Sequence, residues 1–236
     1  MASIYLIPTH LSNAPLSNVL PDYNFKIIKQ IKYFIVENIR TARRFLKQVD
    51  RTINIDELTF FELNEHTDKT LLISYIEPIK NNNDIGIISE AGCPAIADPG
   101  ADIVSIAQEK NIKVVPLVGP SSILLSLMAS GFNGQSFAFN GYLPIDKNER
   151  INTLKRFEKK IFSESQTQIF IETPYRNVQL VEDICKTLND NIKLCIAVDI
   201  TSDSEIIKTK TIRQWKSTID SIGTIHKKPT IFLLYK

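Results

Sequence analysis

Short apolar runs alternate with helical patterns along the first half of the chain, and this alternation constrains the fold more than any other feature. The runs at residues 3–7, 33–37, 58–63, 85–89 and 114–118 have the length and composition of strands. Apolar spacing typical of helices occupies residues 25–31, 41–49, 69–80 and 103–110. Strands separated by helices form βαβ units, which predicts an α/β domain with a mostly parallel sheet.

The pattern changes after about residue 118. Predicted helices at residues 121–129, 148–162 and 176–188 alternate with strands at 137–139, 168–172 and 194–198, and further strands follow at 205–211 and 230–234. The last strands are separated by less helix, which favours a mixed sheet. We therefore expect two α/β domains, residues 1–117 with a mostly parallel sheet and residues 118–236 with a mixed sheet.

Composition narrows the class of protein. Hydrophobic residues make up 43% of the 236 residues and charged residues 23%, so the chain can form a proper core. The formal net charge of +2 excludes a nucleic-acid binder that depends on a strongly basic tail. Three scattered histidines predict no metal site, and three cysteines without a short-spaced pair indicate a reducing, cytoplasmic location.

One long uncharged run needs a separate explanation. No charged residue lies between Lys113 and Asp146. Gly119-Pro120 and Gly131 interrupt this run, and the helical piece between them is too short to cross a bilayer. We interpret the run as buried core and as apolar surface for self-association, and we expect no membrane partner.

Seven of the eight glycines lie between Gly86 and Gly141, and two glycine-proline loops in this stretch follow predicted strands. The first loop spans residues 89–100 and contains Gly92 and Cys93, and the second spans residues 118–122. Ligands of parallel α/β sheets bind beyond the carboxyl ends of the strands, so one ligand can touch both loops. The alternatives are an ordinary strand–helix turn for the first loop and a helix N-cap at Ser121 or Ser122 for the second.

Several common motifs are absent from the sequence. No G-x-G-x-x-G follows the first strand, which removes the usual dinucleotide fingerprint. The chain also lacks the P-loop motif and the G-x-S-x-G nucleophile elbow. A catalytic thiol at Cys93 is disfavoured because no histidine is close to it in sequence.

A stripe of basic residues follows the second predicted strand: Arg40, Arg43, Arg44, Lys47 and Arg51. Their spacing predicts one helical face, and no acidic residue interrupts the stripe before Asp50. A stripe of one sign suits an RNA backbone, whereas the alternative is a solvated helix face.

Five ordered motifs resemble the tetrapyrrole methylase superfamily and, within it, the ribose 2′-O-methyltransferases of small-subunit ribosomal RNA. They are residues 37–40 (ENIR), 90–100 (EAGCPAIADPG), 114–121 (VVPLVGPS), 141–144 (GYLP) and 171–176 (IETPYR). The loop after the first strand, residues 10–18, lacks the glycine that the family has there, and Asn38, Ile39 and Glu90 replace Asp, Thr and Asp of the family motifs.

The resemblance implies S-adenosylmethionine in a cleft between two domains, a homodimer, and ribosomal RNA or the small ribosomal subunit as partner. By position, the cofactor contacts are Pro8, Gly92, Cys93, Ile96, Ser121, Ser122, Ile171, Glu172, Val198 and Thr230. A ribose hydroxyl must lose its proton during methyl transfer, and the candidate bases are Glu90, Glu37 and Glu172. The alternatives are methylation of a tetrapyrrole-like small molecule or a protein side chain, and a non-catalytic relative that binds cofactor or RNA.

Overall fold

The computed structural model describes residues 2–218 and 225–236. The chain divides into two compact units, Met1–Ser121 and Ser122–Lys236. This division falls four residues after the expected boundary at residue 117. The segment 117–121 stays with the first unit because Leu117 N donates to Leu6 O at 3.0 Å and Asn24 Nδ2 donates to Val118 O at 2.8 Å.

The first unit is built on a parallel sheet, as the sequence predicts. Its strands are β1 (Ser3–Ile7), β2 (Tyr33–Val36), β3 (Thr59–Glu62), β4 (Ile85–Ile88) and β5 (Lys113–Pro116), in the order β3-β2-β4-β1-β5. The helices are α1 (Asp22–Ile28), α2 (Ile39–Val49), α3 (Leu72–Tyr75), α4 (Glu77–Lys80) and α5 (Gly100–Glu109). Because every pairing is parallel, the carboxyl ends of all five strands lie along one edge.

Both faces of this sheet are covered. Successive residues of a strand point to opposite faces, so Phe34 and Val36 belong to one apolar cluster and Ile35 to another. All four residues of β4 are buried. This explains why the central strands consist of continuous apolar runs rather than an alternating pattern.

One predicted helix of the first unit is broken. Residues 69–80 form a 3₁₀ turn, Lys69–Leu71, followed by the short helices α3 and α4. Pro78 has no N–H to donate to the preceding turn, so an uninterrupted helix cannot pass through it.

The second unit has the expected mixed sheet. Its strands are β6 (Phe137–Tyr142), β7 (Thr167–Ile171), β8 (Lys193–Val198), β9 (Ile206–Thr211) and β10 (Thr230–Tyr235), in the order β6-β7-β10-β8-β9. Only the β6–β7 pairing among them is parallel. The helices are α6 (Ser122–Ser130), α7 (Lys147–Glu164), α8 (Asn177–Thr187) and α9 (Ile212–Lys216).

The uncharged run found in the sequence is divided among several elements. It supplies most of β5 and all of α6 and β6. Within residues 2–218 and 225–236, no helix combines the length and the apolar content that crossing a membrane requires.

Candidate active site

Three loops meet at the carboxyl edge of the first sheet. Thr9 N, after β1, donates to Gly92 O at 2.9 Å in the loop after β4. Cys93 Sγ lies 3.4 Å from Pro120 O in the segment after β5. A Cβ on Gly119 would lie 2.2 Å from Cγ of Pro8, so only glycine permits this approach. The structure therefore brings Pro8, Gly92 and Cys93 together beside the residue that precedes Ser121.

The loop between β4 and α5 has an unusual backbone. Gly92 has φ of +74°, and the non-glycine residues Ala95 and Ala97 have φ of 64° and 57°. Asp98 Oδ1 holds this shape by accepting hydrogen bonds from Ala95 N at 2.9 Å and Gly100 N at 2.7 Å. Positive φ at alanine is costly, and such strain is concentrated at functional sites. Ile96, between the two alanines, is 51% exposed.

Two of the three candidate bases lie at this edge. Glu90 N donates to Glu37 Oε1 at 3.2 Å, and the Thr41 hydroxyl donates to the Glu90 carboxylate. Burial is the main reason why the pKa of Glu37 is raised above its ordinary value. The hydrogen bond from Glu90 N opposes this rise in pKa, whereas the charges of Asp98 and Glu90 add to it. Carboxyl groups with a raised pKa are common at functional sites.

Helix α2 carries most of the basic stripe. Asn38 caps it, since its Oδ1 accepts from Arg40 N at 2.9 Å and Thr41 N at 3.2 Å. The replacement of the family aspartate by Asn38 therefore keeps the cap. The helix ends at Val49, so the expectation that Arg51 shares its face is wrong: Asp50 N–H closes the last turn, and Arg51 lies beyond it.

The basic residues of the stripe have different surroundings. Arg43 lies over the ring of Phe60, 5.3 Å from its centroid. Lys47 Nζ donates to the carbonyl oxygens of Arg51 and Ile53, at 3.0 and 2.6 Å. Lys47 is thus occupied in holding the chain after α2, while Arg40, Arg43, Arg44 and Arg51 keep exposed guanidinium groups.

Two cavities lie beside α2 in the first unit. One, of about 250 Å³, is lined by Thr9, His10, Thr41, Ala42, Arg44, Phe45, Gln48, Ile88, Ser89 and Glu90. The other, of about 590 Å³, is lined by His10, Asn13, Ala14, Pro15, Leu16, Ser17, Phe25, Lys47, Gln48 and Arg51. His10 and Gln48 line both cavities. His10 was not among the residues selected from the sequence, because a single histidine in a polar loop gives no pattern.

The candidate residues of the second unit lie along one edge of its sheet. Thr230 pairs with Val198, and the adjacent Ile231 pairs with Ile171, so three of the predicted contacts are neighbours. Glu172 is 5% exposed, and its Oε1 accepts from Thr173 N at 2.6 Å and Arg176 Nε at 3.0 Å. These bonds occupy the carboxylate of the third candidate base. Ser122 is the first residue of α6.

Solved structures define the class to which this fold belongs. The chain superposes over 99% of its length on cobalt precorrin-4 methyltransferase, with a TM-score of 0.63 and 9% identity. It covers 98% of uroporphyrin-III C-methyltransferase from Thermus thermophilus complexed with S-adenosylhomocysteine, with a TM-score of 0.60 and 10% identity. The chain therefore has the fold of the tetrapyrrole methylases, as the sequence motifs predict. No protein-family model matches it.

Curated relatives specify the family. "Ribosomal RNA small subunit methyltransferase I" of Buchnera aphidicola (subsp. Schizaphis graminum) is 31% identical over 90% of the chain and 71% of the relative. The protein of the same name from Vibrio cholerae is 28% identical over 87% of the chain and 67% of the relative. The chain belongs to the ribosomal RNA small subunit methyltransferase I family. The sequence-based predictions of the superfamily and of a methyltransferase are confirmed.

Proposed function

We propose that this methyltransferase transfers a methyl group from S-adenosylmethionine to a ribose 2′-hydroxyl of small-subunit ribosomal RNA. The observation that carries the proposal is the junction of the three loops at the edge of the first sheet, in a chain whose relatives are named for this RNA. The likeness to the tetrapyrrole enzymes is 9–10% in sequence and concerns the fold. Ribosomal RNA is therefore favoured over a tetrapyrrole or a protein side chain.

The residues at the junction fit the cofactor. Gly92 and Gly119 have no side chain where the loops approach each other most closely. Ile96 and Val118 are 51% and 73% exposed, which leaves apolar surface for a ligand to cover. We assign the cofactor to Pro8, Gly92, Cys93, Ile96, Ser121 and Ser122. Contacts from the second unit through Ile171, Glu172, Val198 and Thr230 stay predictions.

The chemistry then divides between cofactor and protein. When bound, S-adenosylmethionine would supply an electrophilic methyl group on a sulfonium, with S-adenosylhomocysteine as the leaving group once the carbon–sulfur bond is exchanged for a carbon–oxygen bond. The protein must hold the hydroxyl in line and accept its proton. Glu90 lines the cavity beside α2, whereas Glu37 does not line that cavity and fixes the Glu90 backbone by accepting from Glu90 N. Glu90 is therefore our candidate base and Glu37 its positioning residue.

We further infer that the protein acts in the cytoplasm as a homodimer. All three cysteines are free thiols, which suits a reducing compartment. In the second unit, Leu124 and Met128 share a face of α6 and are 50% and 78% exposed. Sedimentation at micromolar concentration tests this inference: a dimer supports it, and a Met128→Glu variant should then sediment as a monomer. A parent protein that sediments as a monomer contradicts it.

The experiment that tests the function uses tritiated S-adenosylmethionine and unmethylated small ribosomal subunits. Label should enter the RNA, and alkaline hydrolysis should leave it in dinucleotides, since a 2′-O-methyl group blocks cleavage of the adjacent phosphodiester. Glu90→Gln should lower the rate by about 10²–10⁴-fold. The control Glu182→Gln, at an exposed ion pair on α8, should not change it. Label in mononucleotides indicates a base as acceptor and contradicts the ribose assignment.

A further inference from the structure

We infer that the two cavities beside α2 receive the target nucleotide, with its base packed against His10 in the smaller cavity and the adjoining phosphates at the larger one. The inference rests on the proposed RNA substrate and identifies the part of the first unit that holds the nucleotide. It assigns to His10 a role in contacting the nucleobase. Four features of this region support the assignment.

His10 lies, together with Gln48, in the wall that the two cavities share. Its Nδ1 is buried and has no hydrogen-bond partner within the described residues. Its ring stacks on Phe45, with 6.3 Å between centroids and 23° between planes. A buried polar atom without a partner costs free energy, which a ligand that hydrogen-bonds to it recovers. The stacked pair gives the cavities an aromatic surface against which a base can pack.

The buried lining of the smaller cavity is partly apolar. Ala42 and Phe45 of α2 are each 3% exposed, and so is Ile88 at the end of β4. Thr9 and Ser89, 2% and 4% exposed, are buried in the same lining, and Thr41 and Gln48 add further polar groups. An apolar slot with a few hydrogen-bonding groups is what a nucleobase removed from its stack requires.

Neutral and positively charged groups both line this region. Burial lowers the pKa of His10 below its ordinary value, so the imidazole is neutral at pH 7 and suits a base rather than a phosphate. Arg44 lines the smaller cavity, and Arg51 lines the larger one. Neither arginine forms an ion pair with a carboxylate within residues 2–218 and 225–236, so both can contact phosphates.

The cavity also reaches the proposed base. Ser89 and Glu90 line it together with His10, and Glu90 is held by Thr41 and Glu37. A nucleotide with its base at His10 has its ribose within the same cavity as Glu90. His10 lies in the loop, residues 10–18, that lacks the glycine of the family motif.

Binding is tested by nuclear magnetic resonance of the full chain, which has only three histidines. We expect at least one of the four nucleoside 5′-monophosphates to shift the His10 ring signals in a saturable way and to leave those of exposed His66 unchanged. Ribose 5-phosphate, which lacks a base, should shift the His10 signals less. The inference is overturned if none of the four nucleoside monophosphates shifts them, or if an acidic peptide does so instead.

Kinetics with unmethylated small subunits provides the second test. His10→Ala should raise KM at least tenfold and change kcat less, and His10→Phe, which keeps the stack on Phe45, should recover part of the loss. Gln48→Leu, on the exposed side of α2, is the second variant if His10→Ala does not fold. An unchanged KM in these variants overturns the pocket while methylation itself persists. If the parent methylates no RNA, the proposed function fails, and the nucleotide titration still decides the pocket.

Discussion

Gly119 has only a hydrogen atom as its side chain, and this permits the loop after β5 to approach the loop after β1 in the candidate site. We expect Gly119→Ala to lower affinity for S-adenosylmethionine by at least about tenfold, because its Cβ would lie 2.2 and 2.4 Å from the Pro8 ring and would separate the loops. Isothermal titration calorimetry measures the change. The matched control is Gly134→Ala, where an added Cβ meets nothing within 4 Å. Equal affinity in both variants places the cofactor elsewhere.

Glu37 gives a prediction with a defined pH dependence. Because its pKa is raised in the folded state, ionisation of Glu37 removes stability as pH rises above the ordinary value of 4.5. Glu37→Gln keeps an oxygen that accepts from Glu90 N and removes the charge. We expect its Tm to exceed that of the parent at pH 7.5 and the difference to vanish near pH 4. Thermal unfolding at both pH values checks this, with exposed Glu109→Gln as control. A lower Tm for Glu37→Gln at pH 7.5 contradicts it.

Single residues also show how far the sequence could predict the site. Gly92 and Gly119 were identified because glycine indicates close approach or positive φ. Ala95 and Ala97 were not identified, since alanine usually avoids positive φ. Here the tertiary structure and the hydrogen bonds to Asp98 impose the positive φ. The burial of His10 likewise depends on α2, which is distant from it in sequence.

At the scale of elements, the sequence pattern predicted every strand of both sheets. Burial on both faces leaves a clear apolar run in strands such as β4 and β10, whereas partly exposed strands such as β9 are more polar. The pattern failed for residues 69–80, where apolar spacing continues through Pro78 but the backbone hydrogen bonds cannot. It also missed α9, a five-residue helix too short for a period and defined by the capping box of Thr211 and Gln214. Short elements are determined by caps and tertiary contacts, such as Trp215 Nε1 donating to Leu194 O at 2.8 Å.

A buried ion pair joins α7 to α8 and gives the prediction at this scale. Arg150 Nε and Nη2 donate to Asp183 Oδ2 at 3.0 and 2.7 Å, and Arg150 Nη1 donates to Ile145 O at 2.7 Å. Asp183→Asn leaves the buried guanidinium uncompensated and should cost about 3 kcal/mol, or roughly 6–12 °C in Tm. The neighbouring Glu182→Gln breaks an exposed pair on the same helix and should cost under about 1 kcal/mol. Urea unfolding compares them, and equal losses refute the structural role.

At the scale of the whole molecule, a chain with a net charge of +2 can bind RNA only through a local concentration of positive charge. The five basic residues near α2 provide such a concentration, but they differ in the contacts that their side chains make. Lys47 donates to two backbone carbonyls, and Arg43 lies over Phe60. Arg44 and Arg51 line the two cavities. The stripe could be predicted from the sequence. The different contacts of its members could not, because they involve residues beyond the end of α2.

RNA binding through this stripe predicts a steep dependence on salt. Each neutralised phosphate of a single strand contributes about −0.7 to the slope of log affinity on log salt concentration. We expect Arg44→Gln and Arg51→Gln together to flatten the slope by roughly 1–2 and to leave S-adenosylmethionine binding intact, since the cofactor carries no phosphate. Arg43→Gln removes one positive charge, and it should flatten the slope by less than about 0.7, since the exposed Arg43 guanidinium is held over the Phe60 ring. Filter binding of a small-subunit RNA fragment at salt concentrations between about 50 and 300 mM measures this slope for the parent and both variants. A solvated helix face predicts equal slopes for parent and variants, and a flat response of the parent itself would shift the assignment from RNA to a small-molecule acceptor.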